Sequence, residues 1–326
     1  MERLLTVFTP TYNRAYTLHK CYESLKNQSC KDFKWLIIDD GSTDNTKELV
    51  NRWIKEKNDF EITYIYQSNK GMHGAHNTAY ENIDTELNVC IDSDDYMPID
   101  AVEKIKKNWN RVKHNKNISG LVGLDSYENG DVIGRGFPNE LKESTLFEIN
   151  NKYKIPGDKK LVYRSELTKM FPYPIFEGEK YIGLAYKYYK LDEEYRLAVI
   201  NDTLCIVEYL EDGSSKNMVK QYKNNPKGFA FYRIENIKNS KASFKFKFKE
   251  SIHYVSSSLL GKNKNFLIES PQKTLTLLSI PIGILLYLYI KLIVYLEKNE
   301  RRTNGCFLFC FNRVIFNFIS SKNNKR

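Results

Sequence analysis

Three carboxylates crowd into the stretch Val89-Cys90-Ile91-Asp92-Ser93-Asp94-Asp95-Tyr96-Met97-Pro98. Carboxylates this close repel one another unless a cation lies among them. Hard cations such as Mg²⁺ and Mn²⁺ take oxygen ligands, and Mg²⁺ is usually held by one or two carboxylates plus substrate phosphates. The pattern therefore suits an Asp-x-Asp site for a metal and a nucleotide. The same residues also suit a plain acidic turn ahead of a helix starting near Pro98. A second acidic centre is Phe176-Glu177-Gly178-Glu179-Lys180-Tyr181. One of its carboxylates could take a proton from an alcohol as a general base. The alternative is that both simply favour a helix N-terminus, with the helix expected from about 179 to 190.

The elements that must position these groups alternate. Apolar runs at 4–8, 34–38, 62–66 and 86–91 read as buried strands. Amphipathic stretches between them read as helices, so the sheet should be mostly parallel with right-handed crossovers. Asp39 and Asp40 end the second strand, and Asp92 and Asp94 follow the fourth. Both pairs then reach the carboxyl edge of one sheet, where open α/β sheets bind ligands. Further strands are expected at 118–124, 160–164, 195–199 and 204–209. The stretch 136–154 gives no clear pattern. Ser68-Asn69-Lys70-Gly71-Met72-His73-Gly74 precedes the third helix, where backbone can approach an anion and Lys70 can pair with a phosphate. A surface loop with a helix cap is the other reading of that stretch.

Thr9-Pro10-Thr11-Tyr12-Asn13-Arg14, Ile38-Asp39-Asp40-Gly41-Ser42-Thr43-Asp44 and Asp92-Ser93-Asp94-Asp95, in that order and spacing, resemble the signature series of family 2 glycosyltransferases of the GT-A fold. Gly157-Asp158-Lys159, the segment 176–181 and Val207-Glu208-Tyr209-Leu210-Glu211-Asp212-Gly213 are similar to bacterial members that build capsular and other cell-surface polysaccharides. The resemblance implies an inverting transfer from a nucleoside-diphosphate sugar, UDP by family frequency, with Mn²⁺ or Mg²⁺ as cofactor. It implies that Thr9 and Tyr12 line the base pocket and Asp40 bonds the base. Asp92 then approaches ribose and sugar, and Asp94 ligates the metal. Pro10, Arg14 and Ser93 complete the nucleotide-sugar set. It makes Glu179 the base, with Glu177 as fallback, and puts His73 and Asp212 on the acceptor side. Met72 stands where many similar proteins carry lysine. A nucleotidyltransferase would need a glycine-rich loop with Arg and Lys after the first strand, which Thr9–Arg14 lacks. A non-catalytic nucleotide-sugar sensor would not need both Asp94 and Glu179.

The chain has 326 residues and a formal net charge of +10, unevenly spread. Residues 1–212 carry a net −6 and residues 213–326 a net +16. This divides the chain into a catalytic domain, 1–212, and a basic, largely helical region, 213–326. Phe244-Lys245-Phe246-Lys247-Phe248-Lys249 suits a strand with one aromatic and one basic face, or an interfacial segment. Residues 274–296 and 307–319 are apolar and flanked by basic residues, including Arg301, Arg302 and Arg326. Apolar tracts beside cations point to an anionic membrane surface rather than nucleic acid. The expected location is the inner face of the cell membrane, peripherally attached, near a polyprenyl-linked or other glycan acceptor. The six cysteines lack zinc-site spacing and are expected to be reduced.

Overall fold

The structure is a computed structural model, and it describes residues 3–209 and 218–300. The chain divides into two compact units. The first comprises 3–173 with 187–209, and the second 174–186 with 218–300. The expected boundary at 212/213 lies outside the described residues. Pro174–Tyr186, with both acidic candidates Glu177 and Glu179, groups with the second unit.

The first unit is built on an eight-stranded sheet. Strands β1 (Leu5–Thr11), β2 (Phe33–Asp39), β3 (Glu61–Tyr66) and β4 (Leu87–Cys90) are all parallel, in the order β3-β2-β1-β4. Helices α1 (Ala15–Lys26), α2 (Thr46–Lys55) and α3 (Gly71–Asn82) are their crossovers. Apolar strand residues pack under these helices. Tyr22 stacks on Trp53 at 4.4 Å between ring centroids, and Trp35 lies beside both.

The second half of the sheet is mixed. After α4 (Ala101–Val112), β5 (Ile118–Ser126) does not pair with β4. Strand β7 (Lys159–Arg164) enters between them, antiparallel to both. Two strands were expected at 195–199 and 204–209. Instead one long strand, β8 (Arg196–Ile206), follows β5 in parallel through three register shifts, at Ile118/Gly120, Val122/Leu124 and Leu124/Asp125. The unreadable stretch contains β6 (Glu143–Ser144) and α5 (Leu146–Asn151). Thr145 and Glu148 close a capping box at the start of α5. That Thr-x-x-Glu spacing was a legible signal.

Helix α6 is Ser165–Thr168, and α7 is Ala185–Leu191, of which Lys187–Leu191 belongs to this unit. Lys187 is 1% exposed and donates to the Thr168 carbonyl. Its ammonium lies 4.2 Å from the Tyr80 ring centroid and 5.1 Å from that of Tyr173. No carboxylate pairs with it among the described residues, and burial lowers its pKa to about 7. The unfolded chain then holds a proton that the folded chain lacks between about pH 7 and 10.5, so this group makes stability rise with pH across that window. Lys187→Met is expected to raise Tm more at pH 6.5 than at pH 9. A difference independent of pH would show that the ammonium is not what burial strains.

The second unit is helical. It contains α8 (Met218–Asn224), α9 (Pro226–Lys238), α10 (Phe244–Leu260), α11 (Phe266–Glu269) and α12 (Lys273–Glu300). Pro226 stands at the N1 position of α9 and separates it from α8. The alternating Phe244–Lys249 segment forms neither a strand nor a separate interfacial piece. It is the opening of α10, where the Ser243 hydroxyl accepts from the Phe246 amide at 3.3 Å. Inside the unit Arg233 forms a two-pronged bond to Glu250, at 2.8 and 3.1 Å, and Asn236 donates to the same carboxylate.

Candidate active site

The loops at the carboxyl edge of the parallel strands are tied to one another. After β1, the Asn13 amide donates to Ser42 Oγ at 2.9 Å, and Asn13 Oδ1 accepts from the Thr43 amide at 2.7 Å. Asp44 accepts from the Ala15 amide at 3.1 Å. The Ile38–Asp44 segment therefore holds the Tyr12–Ala15 turn in place. Tyr12 is left 50% exposed at this edge, beside the half-buried Arg14. Arg14 bonds to Tyr16.

Thr9 is placed differently from expectation. It is fully buried, and its hydroxyl accepts from Trp35 Nε1 at 3.0 Å. The pleat turns this side chain into the core, so its hydroxyl is a packing group and not part of a base pocket. Pro10, its neighbour in β1, is also buried.

Asp39 and Asp40 divide their work. Asp39 accepts from the Tyr64 hydroxyl at 2.6 Å and the Ser42 amide at 2.7 Å, which shapes the turn after β2. Asp40 accepts from Gln67 Nε2 at 2.6 Å and from the amides of Lys70 and Gly71 at 2.8 Å each. Gly71 has φ +79°, a conformation that L side chains rarely adopt, and this aims its amide at the carboxylate. Asp40 thus binds the N-terminus of α3 to the end of β2. Lys70 is exposed at this junction. His73, expected on the acceptor side, is 1% exposed inside α3's packed face, so the structure does not present it to an acceptor.

The acid loop follows β4. The Asp95 amide bonds back to the Asp92 carbonyl at 3.0 Å, making a tight turn. Tyr96 and Ile206 then exchange two backbone bonds, at 2.7 and 3.0 Å, which clamp the loop to the end of β8. Asp92 and Asp94 are half-buried, and Ser93 and Asp95 are buried. Burial pushes the Asp95 carboxyl up to about 8, against the Lys160 charge and with Asp92, Asp94 and Asp125 adding to the rise. Cys205 and the Glu208 amide are its hydrogen-bond donors.

This crowding fits a cation. Among the described residues no three acidic, His or Cys groups close around one point. The chain therefore offers one or two carboxylates, the donor set Mg²⁺ or Mn²⁺ uses when phosphates supply the remaining oxygens.

Two groups at this edge were not singled out from the sequence. Lys160, the second residue of β7, is 9% exposed, and Asp125 near the end of β5 is 3% exposed. No sequence pattern revealed that β7 runs backwards between β4 and β5, which brings its first residues to the strands' carboxyl edge.

In the second unit Glu179 is 8% exposed. Its two oxygens accept from the amides of Lys227 and Gly228, at 3.0 and 2.8 Å. A Cβ on Gly228 would lie 2.2 Å from the Tyr181 carbonyl, so only glycine permits this approach. The expected helix at 179–190 does not begin there, since α7 starts at Ala185. Glu179 serves the N-terminus of a different helix, α9. Glu177 is exposed, across Gly178 with φ +76°. Asp212 lies outside the described residues.

A mixed α/β sheet flanked by helices, with carboxylates gathered at the carboxyl edge of its parallel half, is the GT-A arrangement. S. aureus TarS, solved in complex with UDP-GlcNAc, has the same fold. It superposes with TM-score 0.55 over 86% of this chain and 80% of its own, at 20% identity. Residues 6–155, just under half of the chain, match the family described as Glycosyl transferase family 2. Glycosyltransferase GlyA of Streptococcus pneumoniae is 35% identical over 177 residues, 53% of this chain and 25% of its own length. The GalNAc(5)-diNAcBac-PP-undecaprenol beta-1,3-glucosyltransferase of Campylobacter jejuni is 32% identical over 108 residues, 32% of this chain and 34% of its own. The chain thus spans a quarter to a third of the length of these relatives.

Proposed function

We propose that the chain is an inverting glycosyltransferase that moves a sugar from a nucleoside diphosphate, UDP in the first instance, to a hydroxyl of a lipid-linked glycan in cell-surface polysaccharide synthesis. The observation that carries this reading is the clamped Asp92–Asp95 loop beside the Tyr12 and Asp40 loops, in a domain that matches this family. In this reading Tyr12 and the loop fixed by Asp40 receive the base. Asp92 orients ribose and sugar, and Asp94 holds the divalent ion. When bound, that ion supplies positive charge opposite the leaving diphosphate. The acceptor hydroxyl gives its proton to Glu179, whose orientation is set by two backbone amides. The UDP-GlcNAc held by TarS and the lipid-linked name of the C. jejuni relative support donor and acceptor classes. A thermal-shift screen of nucleotide sugars with and without Mn²⁺, followed by donor hydrolysis, tests it. No metal-dependent shift with any nucleoside diphosphate would end this reading.

Attachment to an anionic membrane surface belongs to the same proposal. Helix α12 is long and apolar enough to cross a bilayer by length and composition. One face packs inside the second unit through Leu275, Leu286, Ile290 and Ile293. An added Cβ at Gly283 would lie 2.6 Å from Val255, so α10 approaches closely there. The other face exposes Leu278, Leu285, Leu288 and Leu292, each more than half accessible. A helix committed to α10 on one side and apolar on the other suits lying in a membrane surface. Deleting α12 would strip α10, so the test is substitution. Replacing Leu278, Leu285 and Leu292 by glutamate is expected to release the protein from anionic vesicles without lowering Tm. Unchanged vesicle binding would remove α12 from this role. The segment 307–319 lies outside the described residues.

A further inference from the structure

A buried lysine sits among the carboxylates at the active edge. Because β7 is antiparallel to both neighbours, its first residues stand at the same edge as the ends of β4 and β5. Gly123 pairs with Lys160, and Leu124 with Lys159. The two lysines behave differently. Lys159 turns away and donates to the carbonyls of Pro156, Gly157 and Asp158, at 2.8, 3.3 and 3.3 Å. Lys160 is buried, and its ammonium donates to the Cys90 carbonyl at 3.4 Å, at the root of the acid loop. No carboxylate lies within ion-pair distance of it among the described residues, yet Asp92, Asp95 and Asp125 all act on it electrostatically. Burial lowers its pKa, and those neighbours with Cys205 overcome that and raise it. Asp125 is nine-tenths buried or more, and its Oδ1 has no hydrogen-bond partner. Burial pushes the Asp125 carboxyl up to about 6, and the Lys160 charge works against that rise.

We propose that Lys160 is the built-in counter-cation of this edge. It acts as a positioning residue that balances the charges of Asp92 and Asp125, so that the site takes a nucleoside diphosphate together with a divalent ion and does not retain the ion alone. The inference rests on the nucleotide reading above. Lys160 occupies the electrostatic centre that a free divalent cation would otherwise claim. It also presents positive charge to an incoming diphosphate. Removing one unit of charge here has opposite effects on the two ligands, because a fixed charge inside the protein acts on both through little screening.

The test measures two affinities by calorimetry: Mn²⁺ for the nucleotide-free full chain, and UDP or GDP, whichever the wild type binds, without metal. Lys160→Met is expected to bind Mn²⁺ about tenfold more tightly and the nucleotide about tenfold more weakly. Asp125→Asn is expected to shift both in the opposite directions. The double variant restores the charge balance and should return both to within about threefold of wild type. A merely structural lysine would lower both affinities together, and the double variant would not recover; that result overturns the proposal. If Lys160→Met does not fold, Asp125→Asn decides, because it retains shape and unchanged affinities in it also overturn the proposal. A wild-type chain that binds nucleotide with Mn²⁺ while the variants change nothing sinks this inference alone. A wild-type chain that binds neither sinks the nucleotide reading beneath it.

Discussion

Asp94→Ala is expected to abolish sugar transfer, a loss of at least about 10³-fold, as for removal of a group that stabilises charge in the transition state. The loop that carries Asp94 is clamped on both sides, by the turn from Asp92 to Asp95 and by the Tyr96–Ile206 bridge. The substitution therefore removes the proposed metal ligand without freeing the loop. Nucleotide binding should persist but lose its response to Mn²⁺, while Tm without ligand holds or rises as repulsion around Asp95 falls. Nucleotide titrations at zero and saturating Mn²⁺, beside initial rates, measure this. Near-normal transfer with metal dependence retained would take Asp94 out of the site.

Glu179→Gln is expected to lower the transfer rate by about 10²–10⁴-fold while leaving donor hydrolysis and nucleotide affinity close to wild type. It should also lower stability by about 1–2 kcal/mol, because a negative charge is lost from the N-terminus of α9 in a buried position. Both effects follow from one geometry: two amides hold the carboxylate and leave it further lone pairs for an acceptor hydroxyl. Glu177→Gln separates the assignments. Glu177 is exposed, so its Tm should not move, and its rate should stay within about threefold of wild type if Glu179 is the base. A stable but inactive Glu177→Gln, with an active though less stable Glu179→Gln, would transfer the role to Glu177 and leave Glu179 as the α9 cap.

The sequence by itself determined the parallel half of the sheet and the order of its loops. Apolar runs of strand length, separated by amphipathic helical stretches, admit few other arrangements. Asp39, Asp40, Asp92 and Asp94 had to end at one edge once β1, β2 and β4 were parallel. The local signals that decide such elements span only a few residues, so they can be read from the chain. What needed the tertiary structure depended on partners distant in sequence. Thr9 is a core residue because Trp35 comes to it across β2. Glu179 caps a helix that begins some fifty residues later, and the helix its own neighbourhood suggested starts only at Ala185. The Phe-Lys alternation at 244–249 has the period of a strand, but a Ser243 cap makes it helical. Lys160 reaches the edge that carries Asp125 and Asp92 only because β7 runs antiparallel between two strands that precede it in the chain. Strand direction in a mixed sheet is settled by which pairing buries the most apolar surface and satisfies the backbone. That comparison is made over the whole fold, and no local stretch of sequence contains it.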